Sequence, residues 1–306
     1  MLNYVLRRLA QAGLILLGVS FITFALLYVL PADPAVQIAG RSATPETVAS
    51  IRAQLGLDQP LLAQYWNYLS NLTQGDFGRS YLQKTEVSTL IQSRIGPSLS
   101  LMFFAILIEL IIGLSAGIYS AMRRGKLSDN VVMVSSFISN SAHQFIISIF
   151  VLYIFAVKLG WFPIGGYGKP IHYVLPALTL GILGSGWYSR VMRSSMIDVL
   201  RQDYIRTARA KGAPISRIIR VHAFKNAVLP IIAMIGLDIG IFMGGIVVVE
   251  SVFGWPGIGQ LAWQAIQRVD IPIIMAVTLV SAIAIVIGNL IADLIAPFVD
   301  PRIRLK

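Results

Sequence analysis

Two carboxylic acids fall inside long apolar runs: Glu109 in AILIELIIG and Asp238 in IGLDIG. A third run carries Ser135, Ser136, Ser139, Asn140, Ser141, His143 and Gln144 close together. Such groups are costly in hydrocarbon, so they belong to a bundle interior or a water-filled path, where they can hydrogen-bond another helix or a passing solute. For any single one, bonding between helices is as good a reading as transport. Taken together, Glu109, Ser139, Asn140, His143, Gln144 and Asp238 are candidates for a polar path at mid-depth. A different chemistry stands in DYIRTARAKGAPISRIIRVHAFKNAVLP, Asp203 to Pro230, which holds six Lys or Arg and one acid. It is a soluble-looking basic island in a greasy chain.

Groups for bond-making chemistry are scarce. The chain has no Cys, which excludes thiol catalysis, disulfides and Cys-ligated metal. Its three His are His143, His172 and His222, too sparse for a His-rich metal site. A Lys is followed by Leu127 in RRGKLS and by Pro170 in GYGKP, so neither reads as a phosphate-binding P-loop. The Gly-Ser-Gly at Gly184–Gly186, with His143 as base, raises an intramembrane serine protease. Small residues where helices touch are the commoner meaning of that triplet. Asp238 lacks an obvious second catalytic Asp. No catalytic residue, metal or cofactor is expected in this chain.

The elements that must position these groups follow from composition. The chain has 306 residues, 56% hydrophobic and 13% charged, with a mean hydropathy of +0.73. Soluble proteins carry about 25% charged residues, so this is an all-α membrane protein by composition. Six apolar stretches can cross a ~30 Å hydrocarbon core at 1.5 Å rise per residue. They are about 9–30, 97–122, 131–157, 173–191, 227–250 and 272–296, in a single domain spanning residues 1–306. The first follows Arg7 and Arg8, is long for a signal peptide and meets no small-residue cleavage site, so an uncleaved span is expected. Small-residue ribbons at Gly113/Gly117, Gly181/Ser185 and Gly236/Gly240/Gly244 predict close helix approach.

The net charge of +11 reads as cytoplasmic loop charge rather than a nucleic-acid surface. Lys and Arg concentrate at Arg7–Arg8, Arg123–Lys126, Arg190–Lys225 and Arg302–Lys306. The positive-inside rule therefore puts both termini and residues 194–226 in the cytoplasm, and residues 31–96 outside. In that outer loop, TPETVASIRAQLGL reads as a helix capped by Thr44, with Pro45 in its first turn and Gly56 past its end. LLAQYWNYLSNL reads as a second helix and GDFGRS as a turn. In the island, Asp203 can cap a helix running to Lys211, Gly212 suits the residue past its end, and Pro214 starts a second helix. A basic loop that only held lipid headgroups would not need this helix–Gly–helix–Pro punctuation.

The island resembles the EAA loop of ABC importer permeases, and its wording is similar to the peptide/nickel/glutathione branch. The general loop has Glu-Ala-Ala where this chain has Arg206, Thr207 and Ala208. The resemblance runs through MLNYVLRRL, LPADPA, LGLDQPLLAQYWNYL, GDFGRS, VVVESVFGWPGIGQL and DPRIRLK, and is to the first of two paired permeases. It implies a six-span type I importer fold in a bacterial inner membrane. It also implies a second permease, two cytosolic ATPases that bind ATP and Mg, and an external solute-binding protein. Asp203, Tyr204, Arg206, Thr207, Ala208, Arg209, Ala210, Lys211 and Gly212 would form the ATPase-coupling segment, with Asn226 and Pro230 at the return into the membrane. The implied cargo is a peptide or small peptide-like solute, with nickel or a metal chelate as the alternative inside the branch. A secondary transporter or channel is the alternative outside it.

Overall fold

A computed structural model describes the backbone of residues 2–29, 34–40, 43–54, 56–80 and 82–299. Within these, the surroundings of residues 2–5, 26–29, 34, 37–38, 243–245 and 292–299 are left out of the description. The sequence motifs DPRIRLK and most of LPADPA lie outside the described residues.

The regular structure among the described residues is helical, apart from an isolated antiparallel bridge between Arg79 and Glu86. The helices are α1 (Leu2–Val29), α2 (Pro34–Ala39), α3 (Pro45–Gln54), α4 (Leu61–Thr73), α5 (Val87–Met122), α6 (Leu127–Ser141), α7 (Gln144–Leu152) and α8 (Ile171–Leu200). There follow α9 (Asp203–Ala210), α10 (Ile215–Arg217), α11 (Phe224–Ala227), α12 (Leu229–Gly245), α13 (Val247–Val252), α14 (Ile258–Arg268) and α15 (Ile271–Val299). Wider π-type turns continue α7 over Tyr153–Lys158 and join α10 to α11 over Ile218–Ala223.

Among the described residues, three single helices are long and apolar enough to cross a membrane: α1, α5 and α15. Two bent pairs raise the number to five if each counts as one span. The stretch expected as one helix over 131–157 is broken between α6 and α7 with a 101° bend, and the α10–α11 segment meets α12 at 50°. Helix α8 covers the expected fourth stretch but is less apolar. The reason lies in its packing: Thr179, Ser185, Tyr188 and Ser189 are buried along with Leu175, Leu180, Met192 and Met196. A helix wrapped by protein can carry hydroxyls that a lipid-facing helix cannot.

The chain forms two compact units. One comprises residues 99–255 and 285–306, with α8 at its centre. Glycines set its close approaches. A Cβ on Gly113 would sit 2.5 Å from Tyr188 Cβ, and one on Gly117 would sit 2.6 Å from the Ser189 carbonyl. A Cβ on Gly186 would lie 2.5 Å from the Ser136 carbonyl, so α6 rides against α8 as α5 does. On α12, Gly240 faces Ile285, and the Gly236 carbonyl lies 3.0 Å from a Cβ placed on Gly288. Gly113, Gly117, Gly236 and Gly240 thus stand at helix contacts, as the sequence predicts. Trp255 is fully buried against Tyr173 and Tyr167 at edge-on ring distances of 4.6 and 5.0 Å.

The other unit comprises residues 1–98 and 256–284. Thr44 Oγ1 accepts the Thr47 N–H at 3.3 Å to start α3, and Gly56 ends it at φ +66°. The GDFGRS turn is an Asp76-to-Gly78 loop closed by a 2.7 Å bond. Phe24 of α1 packs with Ile271 and Met275 of α15 and with Tyr65 and Tyr68 of α4. Between α14 and α15, Val269 takes the left-handed backbone at φ 55°. That is unfavourable for a β-branched residue. It delivers Asp270 to the Ser80 hydroxyl, which donates at 2.5 Å. Burial holds the Asp270 carboxyl above its usual range, and the bond from Ser80 works against that shift.

Candidate functional site

The basic island is built outward from the end of α8. Helix α8 stops at Leu200, and after a two-residue corner α9 begins with Asp203 as its first helical residue and Gln202 at the N-cap. Asp203 is thus one position inside the place expected for it, and its exposed contact with Arg206 at 3.5 Å contributes little. Ile205 is fully buried with Met192, Met196, Ile218 and Ala223. Ala208, three residues on, packs on the same cluster. Asp203, Arg206, Thr207, Arg209, Ala210 and Lys211 are exposed around the rest of α9.

Its end is sharply defined. Gly212 sits at φ +77°. Its N–H bonds the Arg209 carbonyl at 2.9 Å, and the Ala213 N–H reaches back to the Ala208 carbonyl at 3.1 Å. This pair of bonds is a Schellman stop, which requires a residue tolerant of left-handed backbone. Pro214 caps α10, its carbonyl accepting from Arg217 and Ile218 at 2.9 and 3.1 Å. The chain then winds through the π-turn and α11 to α12, which carries Pro230 in its first turn. Tyr204 and Asn226, 22 positions apart, come together: the Asn226 amide donates to the Tyr204 hydroxyl oxygen at 2.8 Å. The segment is therefore one folded corner, pinned to α8 by Ile205 and to α11 by Tyr204.

A part-buried ion pair absent from the sequence-based candidates lies further back on α8. Asp129, near the start of α6, accepts two bonds from the Arg193 guanidinium, both at 2.7 Å. The Gly125 N–H adds a third at 2.9 Å, and the Ser120 hydroxyl of α5 a fourth. The Asp129 side chain is 3% exposed. These bonds bind the α5–α6 turn to the helix that leads into α9.

The mid-depth candidates separate into two groups. Glu109, Asp238 and Ser139 make contacts between helices. Tyr188 of α8 donates its hydroxyl to Asp238, and Glu109 lies beside Asp238 over the bare face of Gly184. Both acids are buried. Ser139 donates to the Ile182 and Leu183 carbonyls of α8 at 2.6 and 3.0 Å. The Ser136 and Ser189 hydroxyls share a bond of 2.5 Å. Asn140, His143 and Gln144 sit instead at the break between α6 and α7, with Asn140 and His143 exposed and Gln144 half-buried. The Ser185 hydroxyl of the Gly-Ser-Gly triplet donates to Ile182 of its own helix at 2.8 Å. Together with the tight Gly186 contact, that supports the packing reading of the triplet. Tyr188 was the missing partner of Asp238. No local pattern announces such a pair 50 residues apart.

The long apolar helices and the bent pairs are those of an integral membrane protein. The descriptions "Binding-protein-dependent transport system inner membrane component" and its N-terminal counterpart match residues 113–305 and 1–102 respectively. The chain belongs to that family, and is the permease component of a binding-protein-dependent ABC importer. It is 40% identical to the glutathione transport system permease protein GsiC of Shigella flexneri serotype 5b (strain 8401), over 306 residues and all of both chains. Over the same full length it is 39% identical to GsiC of Escherichia coli (strain K12). Inward-facing structures of the MetNI methionine ABC transporter align with 69% of this chain and 96% of theirs. Their TM-scores are 0.57 and 0.56 at 17% and 20% identity, which establishes the shared type I importer fold.

Proposed function

We propose that this chain carries peptides or small peptide-like solutes, glutathione among them, inward across the bacterial inner membrane. It shares the path with a second, homologous permease and draws its power from two cytosolic ATPases that bind ATP and Mg. An external solute-binding protein delivers the cargo. The observation that carries the coupling reading is the α8–α9 corner: Ile205 and Ala208 are locked into the subunit's own core, while Arg206, Thr207 and Ala210 face away from it. A push on α9 is then a push on α8. The cargo class rests on full-length similarity to permeases named for glutathione.

The chain performs no bond chemistry. ATP binding draws the ATPases together and the corner moves with them. Each ligand shifts the inward–outward equilibrium only by its differential affinity for the two states. We assign Asn140, His143 and Gln144 to the path, because broken helix at membrane depth is tolerated where it lines a cavity. Glu109, Ser139 and Asp238 hold the walls together.

The test is uptake of labelled glutathione and dipeptides by the reconstituted complex. Uptake that needs ATP, both ATPases and the binding protein supports the reading; uptake without ATP sinks it. Asp238→Asn should lower complex yield and uptake of cationic and neutral substrates alike. A selective loss of cationic substrates would place Asp238 on the path. Gly212→Val should leave the chain inserted but cut uptake, since a β-branched residue at φ +77° costs about 1–2 kcal/mol and unlocks the Schellman stop. ATPase co-purification at the wild-type level together with wild-type uptake would remove Gly212 from the coupling role. For topology, Ser216→Cys in this Cys-free chain should resist an impermeant thiol reagent added to intact cells, whereas labelling would invert the proposed orientation.

A further inference from the structure

Helix α4 has two committed faces. On one, the Tyr65 hydroxyl bonds Ser20 at 2.9 Å and the Leu17 carbonyl at 3.3 Å, both on α1. Phe24 of α1 meets the Tyr65 and Tyr68 rings at 5.3 and 5.9 Å. On the other, Leu62 and Trp66, one turn apart, are 81% and 72% exposed. We propose that this second face is immersed in the outer leaflet, so that lipid, not protein or water, covers Leu62 and Trp66.

Three observations carry this. First, from Gln59 to Gly75 the sequence contains no Asp, Glu, Lys or Arg. A surface evolved to meet a diffusing protein partner would profit from charge to steer the encounter. An interfacial helix needs aromatic and aliphatic residues on one side and satisfied uncharged polar groups elsewhere. The amide nitrogen of Gln64 donates to the Gln59 carbonyl at 2.7 Å, and Asn67 donates to the Gln59 side chain at 3.3 Å.

Second, the depth is right. Phe24, which stacks on Tyr68, also packs with Ile271 and Met275 in the first turns of α15. That is where the last apolar span begins, so α4 lies level with the membrane boundary. Tyr65, Trp66 and Tyr68 are the residue types that gather there.

Third, the surface is continuous. Phe21 of α1 is 56% exposed on a spanning helix and touches Tyr65 edge-on at 5.6 Å. The apolar strip of α1 therefore runs on to α4. Helix α3 in the same loop is the contrast: it carries Glu46 and Arg52.

The inference rests on the reading that residues 31–96 lie outside, and the experiment separates the two. Single cysteines at Leu62 and, as a control, at Ser50 of α3 are spin-labelled in the full complex, reconstituted into phosphatidylcholine–phosphatidylglycerol vesicles. Collisions with oxygen and with a water-soluble nickel chelate are then compared. Leu62→Cys should favour oxygen several-fold more than Ser50→Cys does, with a mobile label. Nickel access equal to that of Ser50→Cys would mean open water and overturn the proposal. Low access to both reagents with an immobile label would mean a protein partner and overturn it equally. Trp66→Cys, one turn along the same face, replaces Leu62→Cys if the latter does not assemble. Orientation is read independently, by whether Ser50→Cys reacts with an impermeant reagent in intact cells.

Discussion

Gly117→Leu will keep α5 from seating on α8, and the complex will not assemble. A single Cβ at Gly117 already lies 2.6 Å from the Ser189 carbonyl and 2.7 Å from Met192 Cβ. Neither neighbour can yield easily. The carbonyl belongs to helix backbone, and Met192 is fully buried in the cluster that also holds Ile205. Overpacking a tight contact costs about 1–3 kcal/mol, and leucine adds three more heavy atoms to a Cβ that does not fit. We expect loss of most of the folded complex, read as yield and melting temperature in detergent. Gly117→Ala should fall between the two. The control is Gly18→Leu on α1, where nothing stands within 4 Å, which should be tolerated. Equal behaviour at both sites would refute the close approach of α5 and α8.

Asp129→Ala is expected to destabilise the subunit by about 1–3 kcal/mol, the usual cost of leaving buried donors without their acceptor, while the Arg193 side chain, 25% exposed, keeps part of its hydration. The Arg193 guanidinium loses both 2.7 Å bonds, and the Ser120 hydroxyl and Gly125 N–H lose their acceptor. Replacing both charges, as in Asp129→Leu with Arg193→Met, should recover much of that stability, because well-packed apolar pairs often equal a buried ion pair. Stability and transport then separate. A double variant that melts like wild type yet transports poorly would show that the tie between the α5–α6 turn and α8 transmits motion. Full recovery of both would make it a packing element alone. A melting temperature unchanged by Asp129→Ala would contradict the bonding described for Asp129.

The parts of this architecture that were legible beforehand are those written in local chemistry. Thr44-Pro45 and Gly56 delimit α3, and Gly212-Ala213-Pro214 ends α9 and starts α10, because capping and left-handed backbone depend on a few adjacent residues. The small-residue ribbons were legible because they repeat every turn. The break at Ala142–His143 was not: it contains no Gly or Pro, and the apolar run continues on both sides of it. Nothing local distinguishes a bent span from a straight one there. The fit of Asp238 with Tyr188 and Glu109, and of Asp129 with Arg193, links residues tens to more than a hundred positions apart on helices whose rotation the sequence leaves open. Ala208 shows the same limit on a smaller scale. It stands in the segment the resemblance assigns to the partner groove, yet it packs beside Ile205 on the subunit's own core. Ala208→Glu would therefore act first on that core. The face free to meet a partner is that of Arg206, Thr207 and Ala210.

That face provides the most direct test of the central claim, that α9 is where the ATPases act on this chain. A single cysteine is introduced at Thr207, on the exposed side, and another at Ile205, which is fully buried. Each is combined with a cysteine scan of the ATPase surface and oxidised, with and without ATP. Thr207→Cys should cross-link to an ATPase in a pattern that changes with ATP, while Ile205→Cys should not cross-link. Absence of any ATPase cross-link from Thr207→Cys in an assembled, ATP-hydrolysing complex would contradict the account.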